Sequence, residues 1–303
     1  MRGRLVELFR IEAQQLHSLE RSKFKLERDV QRLFEENLQA VLGVRFLASE
    51  YSTGDKHAGR IDSLGIDENG TPVIIEYKLS SNDAIISQAL FYLDWLLDHH
   101  GDFELLVQKR LGPTVSVDWS SPRVVCVAES FSKYDSYAVT SIGANIELVA
   151  YRLFAGQYLG IDVAGAALGQ SKVTKPPKLK HKIATIHTID EHLAYAKGDL
   201  RDIATELVDY ISGLGEDVSV NPVQDYIAFR TTRNFCCLET HNKHLFLHLS
   251  LDPVVGKDCD LCRDMRKIGH FGTGDLEVRV EKVGQVEKAK EFALMAYENT
   301  VVG

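Results

Sequence analysis

Apolar residues recur at helical spacing in one stretch near the start of the chain. Between Lys25 and Leu42 they stand three or four positions apart, at Leu26, Val30, Leu33, Phe34, Leu38, Val41 and Leu42. Gly43 follows directly, and glycine is common just past the end of a helix. The pattern therefore predicts an amphipathic helix over residues 25–42.

Shorter runs rich in β-branched and aromatic residues predict strands in the first half of the chain. They cover Val44–Tyr51, Arg60–Asp67, Pro72–Leu79, Arg123–Ala128 and Ile146–Leu153. Turn-forming residues at 67–70 predict that the second and third runs form a hairpin. Helical patterns at Asp83–Asp98 and Lys133–Ile142 lie among the strands. Strands framed by helices indicate an α/β sandwich.

A polar segment divides the chain. Residues 170–182 read QSKVTKPPKLKHK, with two prolines, five lysines and almost nothing to bury. Such a composition is typical of a linker. We therefore predict one domain over residues 1–170, a linker over 171–182 and a second domain over 183–303.

The second half has its own alternation of helices and strands. Thr188 and Glu191 have the spacing of a capping box, which predicts that a helix begins there. Predicted strands cover Tyr226–Thr231, Cys236–Thr240, His244–Leu249 and Leu276–Val283, and a predicted helix over Val286–Tyr297 closes the chain. This order indicates an α+β domain.

Composition and charge exclude some classes of protein. The chain has 303 residues and a net charge of −8, so it does not bind nucleic acid simply by being basic throughout. Its longest apolar stretch, AIISQALFYLDWLL from Ala84, contains Asp94 and is shorter than the roughly 18 residues of a membrane span. The start shows no secretory pattern, and five cysteines are an odd number. We expect a reduced, cytoplasmic protein that does not span a membrane.

Two carboxylates and a lysine form the most informative cluster. Glu76 and Lys78 are two positions apart on a predicted strand, so their side chains share one face. Asp62 precedes Glu76 by 14 residues, and the predicted hairpin brings the two together. Adjacent carboxylates repel unless they share a cation, for which Mg²⁺ is the usual choice. Lys78 would add positive charge where a phosphate builds up negative charge.

The string GRIDSLGIDENGTPVIIEYK, with Gln88 and Tyr92 on the helix that follows, resembles the PD-(D/E)XK nuclease superfamily and, within it, the NucS/EndoMS-type endonucleases. The resemblance covers about residues 25–150. It implies an α/β fold with a restriction-endonuclease-like core, in which helices flank a mixed sheet. It also implies a DNA endonuclease that depends on Mg²⁺ or Mn²⁺.

The resemblance carries roles to individual residues. It implies that Asp62 and Glu76 hold the metal, that the Tyr77 backbone carbonyl adds a ligand and that Lys78 positions or activates water. Gln88 corresponds to the glutamine that organises this site in the family.

A further acidic residue is expected on the first helix, where Glu27, Glu35 and Glu36 are the candidates. With Val30 at zero and about 100° per residue, the apolar stripe centres near 40° and Glu27 falls near 60°. Glu35 falls near 140° and Glu36 near 240°, by the same rotation of about 100° per residue, so only Glu27 is predicted to point inward. The family's glutamate also begins its helix, and we assign Glu27 to the site.

Several other residues have two interpretations. Arg60 and Tyr92 are candidates either for contacting substrate or for supporting the residues that do. Four residues before the hairpin either contact substrate or belong to a plain strand end and loop: Glu50, Tyr51, Lys56 and His57. Basic residues near the start either track a phosphate backbone or form the charged surface of an N-terminal helix. They are Arg2, Arg4, Arg10, Arg21, Lys23, Lys25, Arg28 and Arg32. The lysine-rich linker has the same two interpretations.

The second domain carries weaker signals. Arg263, Arg266, His270 and Asp275 lie in a glycine-rich run that either meets a phosphate or is only a shaped loop. The run resembles an uncharacterised C-terminal domain that follows nuclease-like domains. Cysteines and histidines between 236 and 262 suggest zinc, but their spacing is poor for it, and we do not expect a zinc site.

The sequence therefore predicts a metal-dependent DNA endonuclease with an accessory domain. The alternative is a nuclease-fold module that binds nucleic acid without cutting it. A third interpretation, a protein that interacts with something other than DNA, rests on the negative net charge. A homodimer is a reasonable expectation for an enzyme that cuts both strands.

Overall fold

The structure is a computed structural model that describes residues 7–54, 59–79, 84–142, 144–167 and 187–302. The predicted linker at 171–182 lies outside these residues, so the division into domains stays a prediction. None of the helices in the described part of the chain is both long and apolar enough to cross a membrane.

The N-terminal part is built around one mixed sheet. Its elements are β1 (Phe9–Glu12), β2 (Gln15–Ser18), β3 (Arg21–Ser22), α1 (Glu27–Leu42), β4 (Val44–Ser52), β5 (Arg60–Asp67), β6 (Pro72–Tyr77), α2 (Ala84–Asp98), α3 (His100–Leu111), β7 (Arg123–Ala128), α4 (Lys133–Ile142), β8 (Asn145–Phe154) and β9 (Tyr158–Ala167). The order across the sheet is β3-β8-β7-β6-β5-β4, and β9 also pairs with β8. Strands β6, β7 and β8 are parallel, whereas β4, β5 and β6 are antiparallel. This mixed sheet flanked by helices confirms the predicted fold class.

The central strands are buried because helices cover both faces of the sheet. Every residue of β6 and β7 is buried. Helix α1 packs Val30, Phe34 and Leu38 against one face, and α2, α3 and α4 cover the other. Burying one such side chain contributes about 1.5–3 kcal/mol. Helix α1 ends at Gly43, which has a φ of 64° and donates its backbone N–H to the Leu38 carbonyl, as predicted from its position.

Residues 9–18 form a hairpin, so the interpretation of this segment as part of an N-terminal helix is wrong. Strands β1 and β2 pair antiparallel around Ala13 and Gln14, which have φ values of 46° and 67°. Positive φ at both central residues is the signature of a tight hairpin turn. All residues of both strands are exposed. Helix α3 and strand β9 were also not predicted from the sequence.

The C-terminal part places helices on one face of an antiparallel sheet, in agreement with the predicted α+β class. Its elements are α5 (Ile189–Tyr195), α6 (Asp199–Ser212), β10 (Ser219–Pro222), β11 (Ile227–Arg230), β12 (Asn234–Thr240), β13 (Leu245–Leu249), β14 (Cys262–Asp264), β15 (Leu276–Val280) and α7 (Val286–Val302). The strand order is β10-β11-β12-β13-β15-β14. Thr188 and Glu191 form the predicted capping box at the start of α5.

Buried charges join the two parts of the chain. The Arg123 guanidinium donates to both carboxylate oxygens of Glu147, at 2.7 and 2.8 Å, and to the Thr232 carbonyl at 3.1 Å. Arg230 from the C-terminal sheet donates to Glu147 and lies 3.5 Å from an Asp67 oxygen. We call Asp67, Arg123, Glu147 and Arg230 the interdomain ion cluster. All four are buried, so the chain supplies its own cations for its own anions.

Candidate metal-binding site

Strands β5 and β6 hold Asp62 and Glu76 side by side. The backbone N–H of Asp62 donates to Glu76 Oε1 at 3.2 Å, and the backbone N–H of Tyr77 donates to Asp62 Oδ2 at 3.1 Å. Each carboxylate is thus held by the strand that carries the other. The structure brings these two residues together as the hairpin spacing predicts.

Burial and mutual repulsion disfavour the charged forms of both groups. Glu76 is completely buried, and burial, followed by the nearby Asp62 carboxylate, raises the pKa of Glu76 to about 9. Burial also raises the pKa of Asp62 above its ordinary value. Glu76 Oε2 has no hydrogen-bond partner among the described residues. A buried carboxylate oxygen without a donor indicates a place for a cation.

Lys78 connects this pair to the first helix. Its Nζ donates to Glu27 Oε1 at 2.9 Å. Burial acts to lower the pKa of Lys78, but the Glu27 carboxylate outweighs burial and the net shift is upward. Glu27 stands at the first position of α1 with its side chain 42% exposed. The structure therefore places Glu27 next to Lys78, at the rim of the site.

The prediction that Glu27 alone points inward from α1 is wrong. Glu35 Oε1 accepts a hydrogen bond from Ser63 Oγ at 2.6 Å and from Gln31 Nε2 at 3.1 Å. Gln31 Nε2 also donates to the backbone carbonyl of Asp62 at 2.9 Å. Gln31, Glu35 and Ser63 thus hold strand β5 against α1 directly behind Asp62. The sequence signal for this contact is a polar Gln31 immediately after the buried Val30.

A second set of contacts holds the start of β5. The Tyr92 hydroxyl accepts from the backbone N–H of Arg60 at 3.2 Å and from Gln88 Nε2 at 3.4 Å. Tyr92 is 5% exposed, which favours a supporting role for it over contact with a phosphate. A side chain at Gly59 would collide with the Tyr92 ring, at 2.7 Å from its Cβ, so this glycine permits the close approach.

The mouth of the site carries an ion pair. The Arg60 side chain is mostly exposed and bonds to Glu50. Glu50 has a φ of 52° within strand β4, and Tyr51 packs its ring against Trp95 at 5.7 Å. Lys56 and His57 lie outside the described residues. Arg60 is therefore the sequence-predicted substrate contact that solvent can reach.

Two of the basic residues near the start pair with acidic residues. Arg10 pairs with Glu12 at 3.1 Å on the hairpin, and Lys23 pairs with Glu129 at 3.3 Å. Arg2 and Arg4 lie outside the described residues. A continuous phosphate track along this region stays a prediction.

The four candidates of the second domain have separate partners. Arg263 donates to Glu277 at 3.0 Å, and Arg266 bonds to Asp264, two positions away. His270 stacks on His248 with ring centroids 4.6 Å apart, and the backbone carbonyl of Asp275 accepts the backbone N–H of Met265. These contacts do not place the four side chains around one common partner. All five cysteines are free.

The donor set around Asp62 fits a hard divalent cation. Within the described ranges, no group of three or more His, Cys, Asp or Glu side chains could hold a metal ion. Mg²⁺ commonly binds through one or two carboxylates and retains several waters. Asp62 and Glu76 meet that smaller requirement, and the Glu76 oxygen without a donor provides an open coordination position.

Comparisons with known proteins leave the activity unassigned. Residues 189–300 match a family described as a domain of unknown function, DUF5655. The chain is 28% identical over 293 residues to an uncharacterized protein of Haemophilus influenzae, a match that covers 93% of this chain and 96% of that protein.

Two solved structures show partial similarity. A repair endonuclease from Pyrococcus abyssi is 18% identical with a TM-score of 0.29, over 43% of this chain and 50% of that one. The EndoMS–dsDNA2 complex is 16% identical with a TM-score of 0.25, over 48% of this chain and 65% of that one. The chain thus spans between half and two thirds of each endonuclease that it resembles.

Proposed function

We propose that the chain is a metal-dependent DNA endonuclease of the PD-(D/E)XK type. The observation that carries this proposal is the Asp62–Glu76 pair, in which Glu76 is buried and its Oε2 has no hydrogen-bond donor among the described residues. A pair of this kind is costly to bury unless a cation joins it. The ordered Asp62, Glu76 and Lys78 motif supports the assignment to phosphodiester hydrolysis.

Asp62 and Glu76 would hold Mg²⁺ or Mn²⁺, with the backbone carbonyl of Tyr77 as a third protein ligand. A bound divalent cation polarises a phosphoryl oxygen and lowers the pKa of its water. Because the backbone N–H groups of Asp62 and Tyr77 already hold one oxygen of each carboxylate, Asp62 Oδ1 and Glu76 Oε2 are the oxygens that would bind the metal.

Lys78 would orient the attacking water and stabilise the negative charge that develops on the phosphate. Glu27 accepts from its Nζ at 2.9 Å, which keeps the lysine charged and holds it at the site. Gln88 acts one step further away, through Tyr92 and the backbone of Arg60. These residues position the strand that carries Asp62.

DNA is the substrate that the motif implies, and Arg60 is the exposed cation closest in sequence to the pair. Its guanidinium bonds to Glu50, so a phosphate would have to replace that carboxylate as the partner of Arg60. Arg60 would then hold the backbone of the strand next to the scissile bond.

The test is a cleavage assay on labelled single-stranded, duplex, mismatched and branched DNA with Mg²⁺, Mn²⁺ or EDTA. We expect Asp62→Asn, Glu76→Gln and Lys78→Met each to lower the rate by more than about 100-fold, because even outer partners of a metal site cost 10–100-fold. Glu36→Gln is the matched control, since Glu36 is exposed on α1 and should leave the rate unchanged.

Cleavage that survives EDTA or the Asp62→Asn change would contradict the proposal. DNA binding without metal and without cleavage would instead favour the non-cutting module. Absence of DNA binding at low salt would favour a partner other than nucleic acid.

A further inference from the structure

The C-terminal sheet has one face that its own helices do not cover. Alternation along the strands sends Leu238, Leu247 and Val278 into the helical core. The opposite face carries Glu239 on β12, Phe246 and His248 on β13, and Glu277 and Arg279 on β15. The register confirms that they are neighbours, with Glu239 opposite Phe246, Phe246 opposite Arg279 and His248 opposite Glu277.

Aromatic rings form a continuous row along this face. The ring centroids of His241 and His244 are 4.8 Å apart, those of His244 and Phe246 4.5 Å, and those of Phe246 and His248 6.2 Å. His270, from the loop before β15, stacks on His248 at 4.6 Å. We call these five residues the ring row. The Arg279 guanidinium lies 5.9 Å from the Phe246 ring centroid.

Two buried acids, Glu239 and Glu277, hold side chains of this face and have their partners within the protein. Glu239 Oε1 lies 3.0 Å from His248 Nε2, and Glu239 Oε2 lies 3.1 Å from His241 Nε2. Arg263 donates to Glu277 at 3.0 Å. Both carboxylates are buried, whereas Arg263, Arg279 and His241 are about half exposed. Arg279 also pairs with the half-exposed Glu281 at 2.6 Å, so solvent meets imidazoles, guanidiniums, a phenyl ring and this one carboxylate.

Two nitrogen atoms of the row are unpartnered. His248 is 1% exposed, and its Nδ1 has no hydrogen-bond partner among the described residues. The same holds for Nε2 of the neighbouring His270. Buried polar atoms normally find a partner, so these two indicate a ligand or water at the row. Among the residues described, no group of three or more metal-ligating side chains stands at the row.

We propose that the ring row and its two arginines bind single-stranded nucleic acid. Bases of single strands stack on Phe and His rings and on Arg guanidinium planes, and open sheet faces with aromatic residues are used in this way. Arg263 and Arg279 would meet the phosphates. A protein partner is the alternative occupant, because Phe and Arg are also enriched at protein interfaces, and it is a separate outcome of the test.

This surface is separate from the proposed hydrolytic site. The C-terminal domain contacts the turn after β5, through Asn69 and Asp67, whereas Asp62 lies toward the other end of that strand. Binding at the ring row therefore does not require cleavage. It would give the C-terminal domain a role of its own in holding a strand.

The test uses the full chain in EDTA, so that metal-dependent cleavage is silent, and an oligothymidylate of about 12 nucleotides that carries 5-iodouracil. Affinity is measured by fluorescence anisotropy, and ultraviolet cross-links are mapped by mass spectrometry. We expect cross-links within residues 241–271 and binding about tenfold weaker for Phe246→Leu, in line with the contribution of one stacked base. Arg279→Gln should weaken binding severalfold and reduce its salt dependence.

Matched controls are Tyr195→Leu and Arg201→Gln, two exposed residues on the helical side of the same domain. They should bind like the wild type. Arg279→Gln also guards against misfolding, because Arg279 is half exposed and its replacement should leave the melting temperature unchanged. Asp62→Asn should retain binding at the row, so failure of the proposed hydrolysis and failure of this proposal give different results.

Cross-links confined to residues 7–167 would overturn the proposal, as would wild-type affinity in both Phe246→Leu and Arg279→Gln. Self-association of the chain that Phe246→Leu abolishes, without binding of the oligonucleotide, would show that the face is a protein interface instead.

Discussion

Strand β5 carries a carboxylate near each of its ends, and the two ends are used differently. Asp67 lies beside Arg123 and Arg230, with guanidinium nitrogens at 3.8 and 3.5 Å. Asp62 lies beside another acid, Glu76, and Lys78, the cation that follows on the chain, is bonded to Glu27. Both regions are largely buried and both contain two acids. They differ in whether the chain supplies the cation.

Burial raises the pKa of both Asp67 and Asp62, whereas the pKa values of their partners Glu147 and Glu76 shift in opposite directions. Burial acts to raise the pKa of Glu147, but Arg123 and Arg230 overcome it and the net shift is downward. Burial and Asp62 together raise the pKa of Glu76 to about 9. Buried acids paired with arginines are satisfied within the fold, whereas under the proposed function the Asp62–Glu76 pair would take a cation from solution. The predictions below test this difference.

The largest expected effect is a loss of stability when the interdomain ion cluster, at the Asp67 end of β5, is broken. Arg230→Met leaves Glu147 and Asp67 with one guanidinium fewer in a buried region, and breaking such a cluster costs about 3–5 kcal/mol of unfolding free energy. Urea denaturation measures this loss. Arg266→Met is the matched control, because the Arg266–Asp264 pair is exposed and its loss should change stability far less. Equal losses of unfolding free energy in the two variants would show that the buried cluster stabilises the fold no more than an exposed ion pair does.

The second effect is a stabilisation by metal at the Asp62 end of β5. Mg²⁺ or Mn²⁺ at about 100 times its dissociation constant should raise the unfolding free energy by about 2.7 kcal/mol, since it binds the folded state. Glu76→Gln should abolish this stabilisation. Thermal melting with and without EDTA provides the measurement, with Glu36→Gln as the variant that should respond like the wild type. Metal stabilisation that persists in Glu76→Gln would place the ion elsewhere.

The third effect is a pH dependence with a defined sign. In EDTA, folded Glu76 keeps its proton up to about pH 9, whereas the unfolded chain releases it near 4.5. The unfolded state therefore binds fewer protons, and stability should fall as pH rises through this window, by at most about 1.4 kcal/mol per pH unit. The contribution of Glu147 depends on pH in the opposite direction. Because its pKa is lowered in the folded state, Glu147 stabilises the protein above the ordinary pKa of a glutamate, and this stabilisation is lost on acidification.

Glu76→Gln should flatten the decline between pH 5 and 8.5, roughly the span between those two values. Denaturation midpoints across that range test the prediction. A decline that is as steep in the variant as in the wild type would assign the titration to another group.

The smallest expected effect concerns the rim of the site. Glu27→Gln removes the partner of Lys78, but the Glu27 side chain is 42% exposed, so stability should change by less than about 1 kcal/mol. Cleavage should nevertheless fall, because Lys78 loses the contact that holds it. A large loss of stability with unchanged cleavage would identify Glu27 as a structural residue.

Local patterns predicted the elements that form the proposed catalytic site. The alternation of β6 and the short connection from β5 were enough to place Asp62 beside Glu76, because a tight hairpin leaves little choice of register. Helix α1 was predicted within two residues, and helix α4 with the same bounds as observed.

The misses have physical reasons. The helical projection gives the direction of a side chain but not its length. Glu35 accepts a hydrogen bond from Ser63 on the neighbouring strand, with 2.6 Å between Ser63 Oγ and Glu35 Oε1. The interdomain ion cluster joins residues that are 163 positions apart, and local periodicity carries no information on such a contact. Phe9 and Ile11 alternate with polar residues in the N-terminal hairpin, but each strand spans only four residues, and so short a pattern does not identify a strand.

Gly43 ends helix α1 and also lies where the two domains meet. A methyl group on this glycine would come within 2.6 Å of Glu68 Oε2 and 3.1 Å of Arg233 Cβ. Glu68 in turn accepts the backbone N–H of Asn234, at the first residue of β12. The C-terminal end of helix α1 therefore packs at the contact between the N-terminal and C-terminal parts of the chain. The two cores should consequently melt in a single cooperative transition, with neither domain persisting as a folded unit after the other is lost.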